Sequence, residues 1–385
     1  MRGYIKKRAK GSYTIVLSLG KDESGKKRQH WETVKGNKVN AEKRLVELQQ
    51  QLFQGTYVKP SPSTTGEFLE HWLSIYKPNL SPRSYERYRD IIRRHIIPCI
   101  GKVPLTQLKP EHLQKHYASI QDNGLSACTV RYHHAVIHVA LKSALKWGII
   151  THNPSDAVEL PKTRTIEMKT WGEQDINTFL DSAKESTYYP LFYTALFTGM
   201  RRSELLGLKW GDIDFVMSQI YVSKGLHQLK TGEYIFTEPK SSKSRRTISM
   251  SPSTYLVLKE HYEKQSIERL IIGSKQSDDD LVFCTPDWKP LRPNSITRAW
   301  KTIAVKCGLP EIRLHDTRHT HASIMLKQGI HPKIVQERLG HSSIEITLDT
   351  YSHVVPGLQE AAAKRFDCLI NSKEPAREEL SAITD

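Results

Sequence analysis

Residues 314–354 read LHDTRHTHASIMLKQGIHPKIVQERLGHSSIEITLDTYSHV and contain the most informative motifs of the chain. The apolar spacing of this stretch predicts three short helices, near 316–328, 332–339 and 343–351. His315 and Arg318 are three residues apart at the start of the first helix, so they share one face. A helix N-terminus favours an anion, and an adjacent arginine can bind a phosphate through two hydrogen bonds. The stretch therefore predicts an anion site, with Gly340 and His341 following the second helix and Tyr351 ending the third.

A zinc site is the alternative interpretation of these histidines. His315 and His319 are four residues apart, as in zinc hydrolases, but the motif requires a glutamate directly after the first histidine, and Asp316 stands there. Arg318 between the two histidines would also repel a cation. The five cysteines are scattered and never spaced as CxxC, so neither a thiolate metal site nor a disulfide framework is predicted. We predict no metal ion and no cofactor.

Two more segments upstream combine basic groups with regular structure. In LFTGMRRSELLGLKW, residues 196–210, Arg201 and Glu204 are three residues apart and can form an ion pair on one helix face. In YIFTEPKSSKSRRTISM, residues 234–250, a strand is predicted to reach Lys240 and TISM to resume as a strand, which would place Lys240 at a hairpin tip. Each feature taken alone is more typical of a solvated surface than of an active site.

Taken together, the order and spacing of these segments resemble the tyrosine recombinases, also called the phage integrase family. TGMRRSELLGLKW, LHDTRHTHAS and LGHSSIEITLDTYSHV are similar to that family's motifs. The resemblance implies a site-specific DNA recombinase that cleaves and rejoins strands through a 3′-phosphotyrosine, integrating or excising a mobile element without a cofactor. The implied catalytic arginines, lysine, histidines and nucleophilic tyrosine are Arg201 and Arg318, Lys240, His315 and His341, and Tyr351, with Glu204 in support.

Several assignments stay open within this resemblance. Lys243 is close enough to Lys240 to be the catalytic lysine instead, and the separate roles of His315 and His341 are not assigned. A DNA-binding regulator that kept the fold is one alternative function, although such a protein would be expected to lack one of the six groups. A type IB topoisomerase-like activity is another, and the basic N-terminal module favours the integrase over it.

The charge of the chain indicates the kind of partner. The 385 residues include 57 Lys and Arg against 41 Asp and Glu, a formal charge of +16, and residues 1–57 alone hold 13 Lys and Arg against 5 Asp and Glu. Such a protein usually binds a polyanion, most often nucleic acid. No stretch approaches the roughly 20 apolar residues of a membrane span, and the N-terminus lacks a signal peptide's apolar run. We predict a soluble, nucleoid-associated protein of the bacterial cytoplasm with no membrane partner.

The predicted fold is multidomain: a small α+β N-terminal domain, an all-α helical domain, and a mainly α, mixed α+β catalytic domain with a small antiparallel sheet. By resemblance these are an arm-type DNA-binding domain, a helical core-binding (SAM-like) domain and the tyrosine recombinase catalytic domain, followed by a tail. Their predicted bounds are 1–57, 64–160, 167–368 and 369–385. Segments 56–66 and 160–171 are predicted to be linkers because they are polar and contain proline.

The helix predicted at 81–97 interleaves arginines with tyrosines and is a candidate for phosphate contacts, although a solvated helix face explains the pattern equally well. The predicted DNA-binding side chains, two of them from the second linker, are Arg83, Arg87, Arg93, Arg94, Lys162 and Arg164. The implied partner is double-stranded DNA with core and arm sites, bound by a homotetramer. An excision or directionality factor and a DNA-bending protein are the accessory partners considered.

Overall fold

The computed structural model describes residues 3–21, 25–53, 63–163, 168–238, 244–351, 363, 366 and 367. The chain divides into two compact units, Met1–Thr165 and Ile166–Asp385. This boundary falls inside the predicted linker 160–171. Most of the other predicted linker, 56–66, lies outside the described residues, as does the predicted tail. Within the described ranges, no helix is long and apolar enough to cross a membrane.

The first unit begins with a three-stranded antiparallel sheet in the order β1-β2-β3, followed by one helix. These elements are β1 (Gly3–Ala9), β2 (Ser12–Lys21), β3 (Lys27–Lys35) and α1 (Lys38–Phe53). The helix covers one sheet face, where Ile15, Leu17 and Leu48 are buried together. The strand register aligns Tyr4, Val16 and Trp31 in a row across the sheet. This arrangement confirms the predicted α+β character of the N-terminal region.

Helices form the rest of the first unit: α2 (Thr65–Tyr76), α3 (Pro82–Ile91), α4 (Ile97–Ile100), α5 (Pro110–Asp122) and α6 (Ala127–Lys146). Side-chain oxygens of Thr64, Ser81 and Ser126 cap the starts of three of them. Trp72 on α2 is fully buried, and its Nε1 donates a hydrogen bond to Ser143 Oγ on α6 at 3.0 Å. The fully buried indole thus ties the first and last helices of this bundle together.

A single π-helical turn, Ile92–Ile96, interrupts the long helix predicted at 81–97. The Ile97 amide donates to the Ile92 carbonyl, five residues back, instead of four. Pro98 follows directly, and because proline has no amide hydrogen and its ring crowds the carbonyl four residues earlier, regular α-helical bonding cannot continue through it. The segment is therefore two short helices joined by a wider turn.

The second unit is mostly helical. Its helices are α7 (Glu173–Ala183), α8 (Tyr189–Thr198), α9 (Arg202–Leu206), α10 (Pro252–Ile271), α11 (Pro293–Lys306), α12 (Thr317–Lys327), α13 (Pro332–Leu339) and α14 (Ile344–Tyr351). At its centre Trp171 stacks on Trp300, with ring centroids 4.9 Å apart. Their indole Nε1 atoms donate to the carbonyls of Pro310 and Ile312, both at 2.9 Å, so no buried donor is left unpaired in this pair.

Two small antiparallel sheets lie between α9 and α10. Their strands are β4 (Ile213–Asp214), β5 (Gln219–Val222), β6 (Gly225–Gln228), β7 (Tyr234–Thr237) and β8 (Arg246–Ser249). One sheet has the order β4-β5-β8 and the other pairs β6 with β7. The prediction of a hairpin between residues 234 and 250 was therefore wrong. β7 completes a tight hairpin with β6, so β8 pairs with β5 instead, and the segment that contains Lys240 connects two sheets.

The prediction of a strand at 281–284 was also wrong. Leu281 and Cys284 make isolated bridges, to Lys209 and Pro290, and no continuous ladder. Between them, the Val282 carbonyl is bound by a side chain instead of a strand: it accepts a hydrogen bond from Gln265 Nε2 at 2.9 Å. The overall class agrees with the prediction: a small sheet with one helix, a helical bundle, and a mostly helical part with small antiparallel sheets.

Candidate active site

Arg201 occupies the position just before α9 and is held by Glu204, one turn further along. The Arg201 amide donates to Glu204 Oε2 at 2.8 Å, and Arg201 Nη1 donates to Glu204 Oε1 at 2.7 Å. One carboxylate thus fixes both the backbone and the guanidinium of Arg201. The Arg201 side chain remains about one-third exposed, whereas Glu204 is buried. Arg201 can therefore meet a ligand while its partner stays inside the protein.

A second arginine, Arg246 at the start of β8, binds the same carboxylate. Its Nη2 and Nη1 donate to Glu204 Oε2 and Oε1 at 2.8 and 3.2 Å. Its Nε donates to the Arg338 carbonyl in the last turn of α13 at 2.7 Å. Burial alone would raise the pKa of Glu204, but the hydrogen bonds and charge of Arg246, together with the charge of Arg201, lower it to about 2. Glu204 is therefore ionised at any physiological pH.

Two left-handed glycines orient the two candidate catalytic arginines. Gly199 ends α8 with φ 63°, and its carbonyl accepts from Nη1 of the buried Arg318 at 3.0 Å. Gly340 ends α13 with φ 68°, and its carbonyl accepts from Arg201 Nη2 at 3.3 Å. Residues with a Cβ rarely adopt this backbone conformation. The glycines end their helices and turn each terminal carbonyl toward one arginine.

His315 lies in the 3-10 turn Leu314–Asp316 that leads directly into α12, and His341 follows Gly340. Burial, and then the charge of Arg318, lower the pKa of His315, and the same two causes lower the pKa of His341 to about 3. His341 Nδ1 lies 2.9 Å from the hydroxyl of Thr347, a buried residue of α14. The His315 and His319 rings meet edge to face with centroids 5.8 Å apart. Both candidate histidines are thus neutral at neutral pH.

The two remaining predicted catalytic residues are only partly described. Tyr351 is the last residue of α14, so its place in the chain is seen but its side chain is not described. Lys240 and its alternative Lys243 lie outside the described residues, in segment 239–243. Arg201, Glu204, His315, Arg318 and His341 are brought together, since the charges of Arg201 and Arg318 both act on both histidines. No group of three or more potential ligands in the described ranges could hold a metal ion.

Comparison with protein-family models gives two matches. Residues 170–356 match the phage integrase family, and residues 64–120 match the N-terminal SAM-like domain of phage integrases. The chain belongs to the phage integrase family. Its function is therefore site-specific DNA recombination by a tyrosine recombinase, as the motifs predict.

Several integrases resemble the chain over nearly its whole length. The "Tyrosine recombinase XerC-like" protein of Caldanaerobacter subterraneus is 28% identical, with 94% of this chain and 97% of that protein covered. The ICEBs1 integrase of Bacillus subtilis is also 28% identical, with 95% and 100% covered. Among solved structures, the Tn1549 transposon integrase bound to a circular intermediate DNA gives a TM-score of 0.69 at 21% identity, covering 79% of this chain and 99% of that one. A lambda integrase tetramer bound to a Holliday junction gives 0.56 at 19% identity, covering 88% and 95%.

The predicted DNA-binding side chains of this integrase-family chain differ in their surroundings. Arg83 and Arg87 are exposed on α3, and Arg87 lies over the Tyr132 ring with its guanidinium carbon 3.6 Å from the centroid. Arg93 Nε and Nη2 donate to the two carboxylate oxygens of Glu70 at 2.7 and 2.9 Å. A phosphate would have to compete with that carboxylate for Arg93. The remaining candidates are Arg94 and Lys162, both exposed, and Arg164, which lies outside the described residues.

Sequence reasoning missed three residues that hold this site together: Arg246, Arg338 and His321. Arg338 donates to His321 Nε2, the Phe197 carbonyl and the Ser249 carbonyl, each at 3.0 Å. Because His321 Nε2 accepts, the ring proton is on Nδ1, which donates to the Leu196 carbonyl at 2.9 Å.

A sequence signal existed for one of the three. Arg246 is two residues before Ile248, so both point to the same face of β8, and Ile248 is buried. An arginine on the inward face of a strand requires an anionic or carbonyl partner.

Proposed function

We propose that this recombinase cleaves DNA with Tyr351 as nucleophile, using Arg201, Arg318, His315, His341 and Lys240, and so integrates or excises a mobile element. The observation that carries the proposal is the convergence of two guanidiniums and two neutral imidazoles at the ends of α8, α12 and α13. A phosphodiester under attack gathers negative charge on its two non-bridging oxygens. Arg201 and Arg318 supply planar donors that can bind those oxygens from two sides.

Neutral histidines are suited to handling a proton at this site. A neutral imidazole has one N–H to donate and one nitrogen to accept, so it can bind a phosphate oxygen or take the phenol proton. The arginine charges that depress the pKa of His315 and His341 would be partly balanced by a bound phosphate. We therefore expect DNA binding to raise the pKa of both histidines at the step in which Tyr351 loses its proton.

The reaction balances without a second substrate. The Tyr351 oxygen forms a bond to phosphorus as its proton leaves, and the bond from phosphorus to the 5′ oxygen of deoxyribose breaks. Lys240 acts as the general acid that protonates this leaving oxygen. The product is a 3′-phosphotyrosine and a free 5′-hydroxyl. Since one phosphodiester is exchanged for another, a 5′-hydroxyl from a partner strand can reverse the step and rejoin the DNA.

The N-terminal region 1–57 is proposed as an arm-type DNA-binding domain and 64–160 as the core-binding domain. On the sheet face not covered by α1, Tyr4 and Trp31 are 54% and 59% exposed on either side of the buried Val16. Lys6 lies two residues after Tyr4 along β1 and so on that same face, and Arg8 follows at the irregularity between Lys7 and Ala9. Aromatic rings beside cationic side chains suit a nucleic-acid backbone, where charge gives affinity and flat rings give contact area.

Double-stranded DNA is the proposed partner, bound by a homotetramer through core and arm sites. A lambda integrase structure of similar fold is a tetramer on a Holliday junction, which supports that assembly here. An excision or directionality factor and a DNA-bending protein are the proposed accessory partners. The protein would act on the nucleoid in the bacterial cytoplasm. Residues 167–368 are proposed to be the catalytic domain and 369–385 a tail.

The test uses a nicked duplex that carries the recombination junction of the element encoding this gene, so that cleavage traps the protein on DNA. Wild type, Tyr351→Phe and a control, Tyr262→Phe, are incubated in EDTA and denatured, and the DNA-linked protein is measured. We expect adduct with wild type and Tyr262→Phe and none with Tyr351→Phe. Adduct with Tyr351→Phe would refute the nucleophile. Tight binding with no adduct from any variant would favour a regulator that only binds DNA.

A further inference from the structure

Arg246 carries no assigned role, yet its guanidinium is hydrogen-bonded to the site on several sides. Its guanidinium spans both oxygens of Glu204, its Nε reaches the Arg338 carbonyl, and its Nη1 lies 3.3 Å from the Ser244 carbonyl. Its side chain is 5% exposed, whereas that of Arg201 is 34% exposed. Because each of its three guanidinium nitrogens bonds to a protein group, Arg246 does not present its charge to a ligand.

Glu204 is shared between one exposed and one buried arginine. Oε1 accepts from Nη1 of both arginines, and Oε2 accepts from the Arg201 amide and from Arg246 Nη2. A carboxylate has about four lone-pair positions, and these contacts use all of them. Glu204 cannot rotate without breaking a charged hydrogen bond on the opposite side. The orientation of Arg201 is thus set through Glu204 by Arg246.

The same guanidinium also reaches the histidine side of the site. The Arg338 carbonyl that Arg246 binds is two residues before Gly340, and a Cβ on Gly340 would lie 2.9 Å from Arg246 Cδ. Gly340 in turn presents its carbonyl to Arg201 and its chain continues into His341. Arg246 is therefore in van der Waals reach of the helix end that places His341.

We propose that Arg246 is a positioning residue for strand cleavage, because it locks the Glu204–Arg201 pair and the Gly340–His341 helix end into one geometry. It acts on the phosphate only through Arg201 and His341. The inference rests on the proposed function, in which Arg201 binds a non-bridging oxygen of the scissile phosphate. Lysine at this position would keep the charge but could not bind two carboxylate oxygens and a carbonyl at once.

The experiment compares Arg246→Lys with Arg245→Lys, a matched control one residue earlier. Arg245 is exposed and pairs with the exposed Glu238 at 2.6 Å, so its replacement keeps the local charge without touching the site. Each protein is given the nicked duplex in two forms: one with the normal scissile phosphate, and one with an uncharged methylphosphonate there. The single-turnover rate of adduct formation, DNA affinity and thermal unfolding are measured.

Because Arg201 would be misplaced, Arg246→Lys should form adduct on the normal duplex about 100-fold more slowly than wild type, with DNA affinity unchanged. On the methylphosphonate duplex the ratio of the wild-type rate to the Arg246→Lys rate should be smaller by about tenfold or more. The reason is that this duplex lacks the negative charge that Arg201 would stabilise. Arg245→Lys should match wild type on both duplexes. Equal slowing on both duplexes would show a general structural defect and overturn the inference, as would a wild-type rate in Arg246→Lys.

Glu204→Gln provides a second route if Arg246→Lys does not fold. It keeps the side-chain shape, removes the shared charge, and should show the same duplex-dependent deficit; a deficit equal on both duplexes would overturn the inference. Where both variants fold, the double variant should be no slower than the slower single one, because the two residues act as a unit. The two hypotheses fail differently. If the proposed function is wrong, wild type and Tyr351→Phe behave alike; if only this inference is wrong, they still differ while Arg246→Lys lacks the predicted signature.

Discussion

At the scale of single residues, Gly340 has two separate reasons to be glycine. Its φ of 68° is a left-handed conformation, which costs roughly 1–2 kcal/mol for a residue with a Cβ. Its missing side chain also makes room for Arg246, whose Cδ and Nη1 would lie 2.9 and 3.1 Å from an added Cβ. Gly308 shares the first reason alone: its φ is 66° and nothing lies within 4 Å of an added Cβ. Comparing substitutions at Gly340 and Gly308 therefore distinguishes the effect of backbone strain from the effect of displacing Arg246.

We predict that Gly340→Ala and Gly308→Ala lose similar backbone stability, about 1–2 kcal/mol each. Only Gly340→Ala should slow adduct formation, by at least about tenfold, because the new methyl group displaces Arg246 and with it the arginine pair. Chemical denaturation gives the stabilities and the nicked duplex gives the rates. Equal rates in the two variants would mean that the Arg246 contact is irrelevant to cleavage.

Sequence spacing predicts contacts best where the two partners are close along the chain. Arg201 and Glu204 share one helical turn, and the structure shows the expected ion pair. Arg246 and Arg338 were not predicted. The partner of Arg246, Glu204, is 42 residues away in sequence, and a partner of Arg338, His321, lies on another helix. Spacing along the chain carries no information about such contacts. The position of Arg246 on the inward face of β8 was the available signal.

At the scale of elements, helices α5 and α6 meet through histidines that have little to bind. His116 is 2% exposed, and in the described structure neither of its ring nitrogens has a hydrogen-bond partner. Its ring stacks on His133, with centroids 5.8 Å apart. Burial, followed by neighbouring charge, lowers the pKa of each to about 4; the neighbours are His133 and His95 for His116, and His95 and Arg87 for His133.

These histidines should make the first unit sensitive to acid. An unfolded histidine takes up a proton near pH 6.5, whereas the folded ones stay neutral until about pH 4. Their contribution to the free energy of unfolding is complete above pH 6.5. It is lost as the pH falls toward 4, at about 1.4 kcal/mol per pH unit for each histidine. We predict that His116→Leu removes one such contribution and flattens the loss of stability between pH 6.5 and 4. His152→Leu, at an exposed site, is the control. Identical pH profiles for His116→Leu and wild type would contradict the prediction.

Element boundaries were predicted best where a cap or stop is local. Ser81 and Pro82 begin α3 as predicted, and Gly148, with φ 68°, follows α6. The π turn at Ile92–Ile96 was missed, because apolar spacing does not distinguish one wide turn from a regular helix. The pairing of β8 with β5 was missed because strand patterns do not name their partners, and adjacent strands were assumed to form a hairpin.

At the scale of the whole molecule, the basic charge and the family motifs led to the same function from independent observations. The charge of +16 predicted a polyanionic partner, and the motifs predicted a recombinase, which the family membership confirms. The division of DNA contacts between residues 1–57 and 64–160 stays a prediction. If both regions contact DNA phosphates, binding releases counterions from the DNA, and DNA affinity should therefore fall steeply as the salt concentration rises.

Deleting residues 1–57 should leave adduct formation on the nicked core duplex near the wild-type level and weaken integration between two sites that carry arm sequences. The reason is that the proposed catalytic groups all follow residue 200, whereas the sheet face with Tyr4 and Trp31 is removed. Full-length Trp31→Ala keeps the domain and should show a smaller defect of the same kind. Recombination assays on plasmids with and without arm sequences measure it. Equal integration by the truncated and full-length proteins would disprove an arm-binding role.

The shared carboxylate of Glu204 also constrains how this protein can change over generations. Replacing Glu204 alone would leave Arg246 buried without its counter-charge, and replacing Arg246 alone would leave Glu204 with only Arg201. Breaking one half of a buried ion pair costs about 3–5 kcal/mol, a large fraction of the stability of a typical domain. A single replacement that removes one charge therefore lowers the stability of the fold, whereas an exchange of both residues for uncharged ones leaves neither of the two charges buried without its partner. We therefore expect that descendants of this chain that alter one of positions 204 and 246 also alter the other.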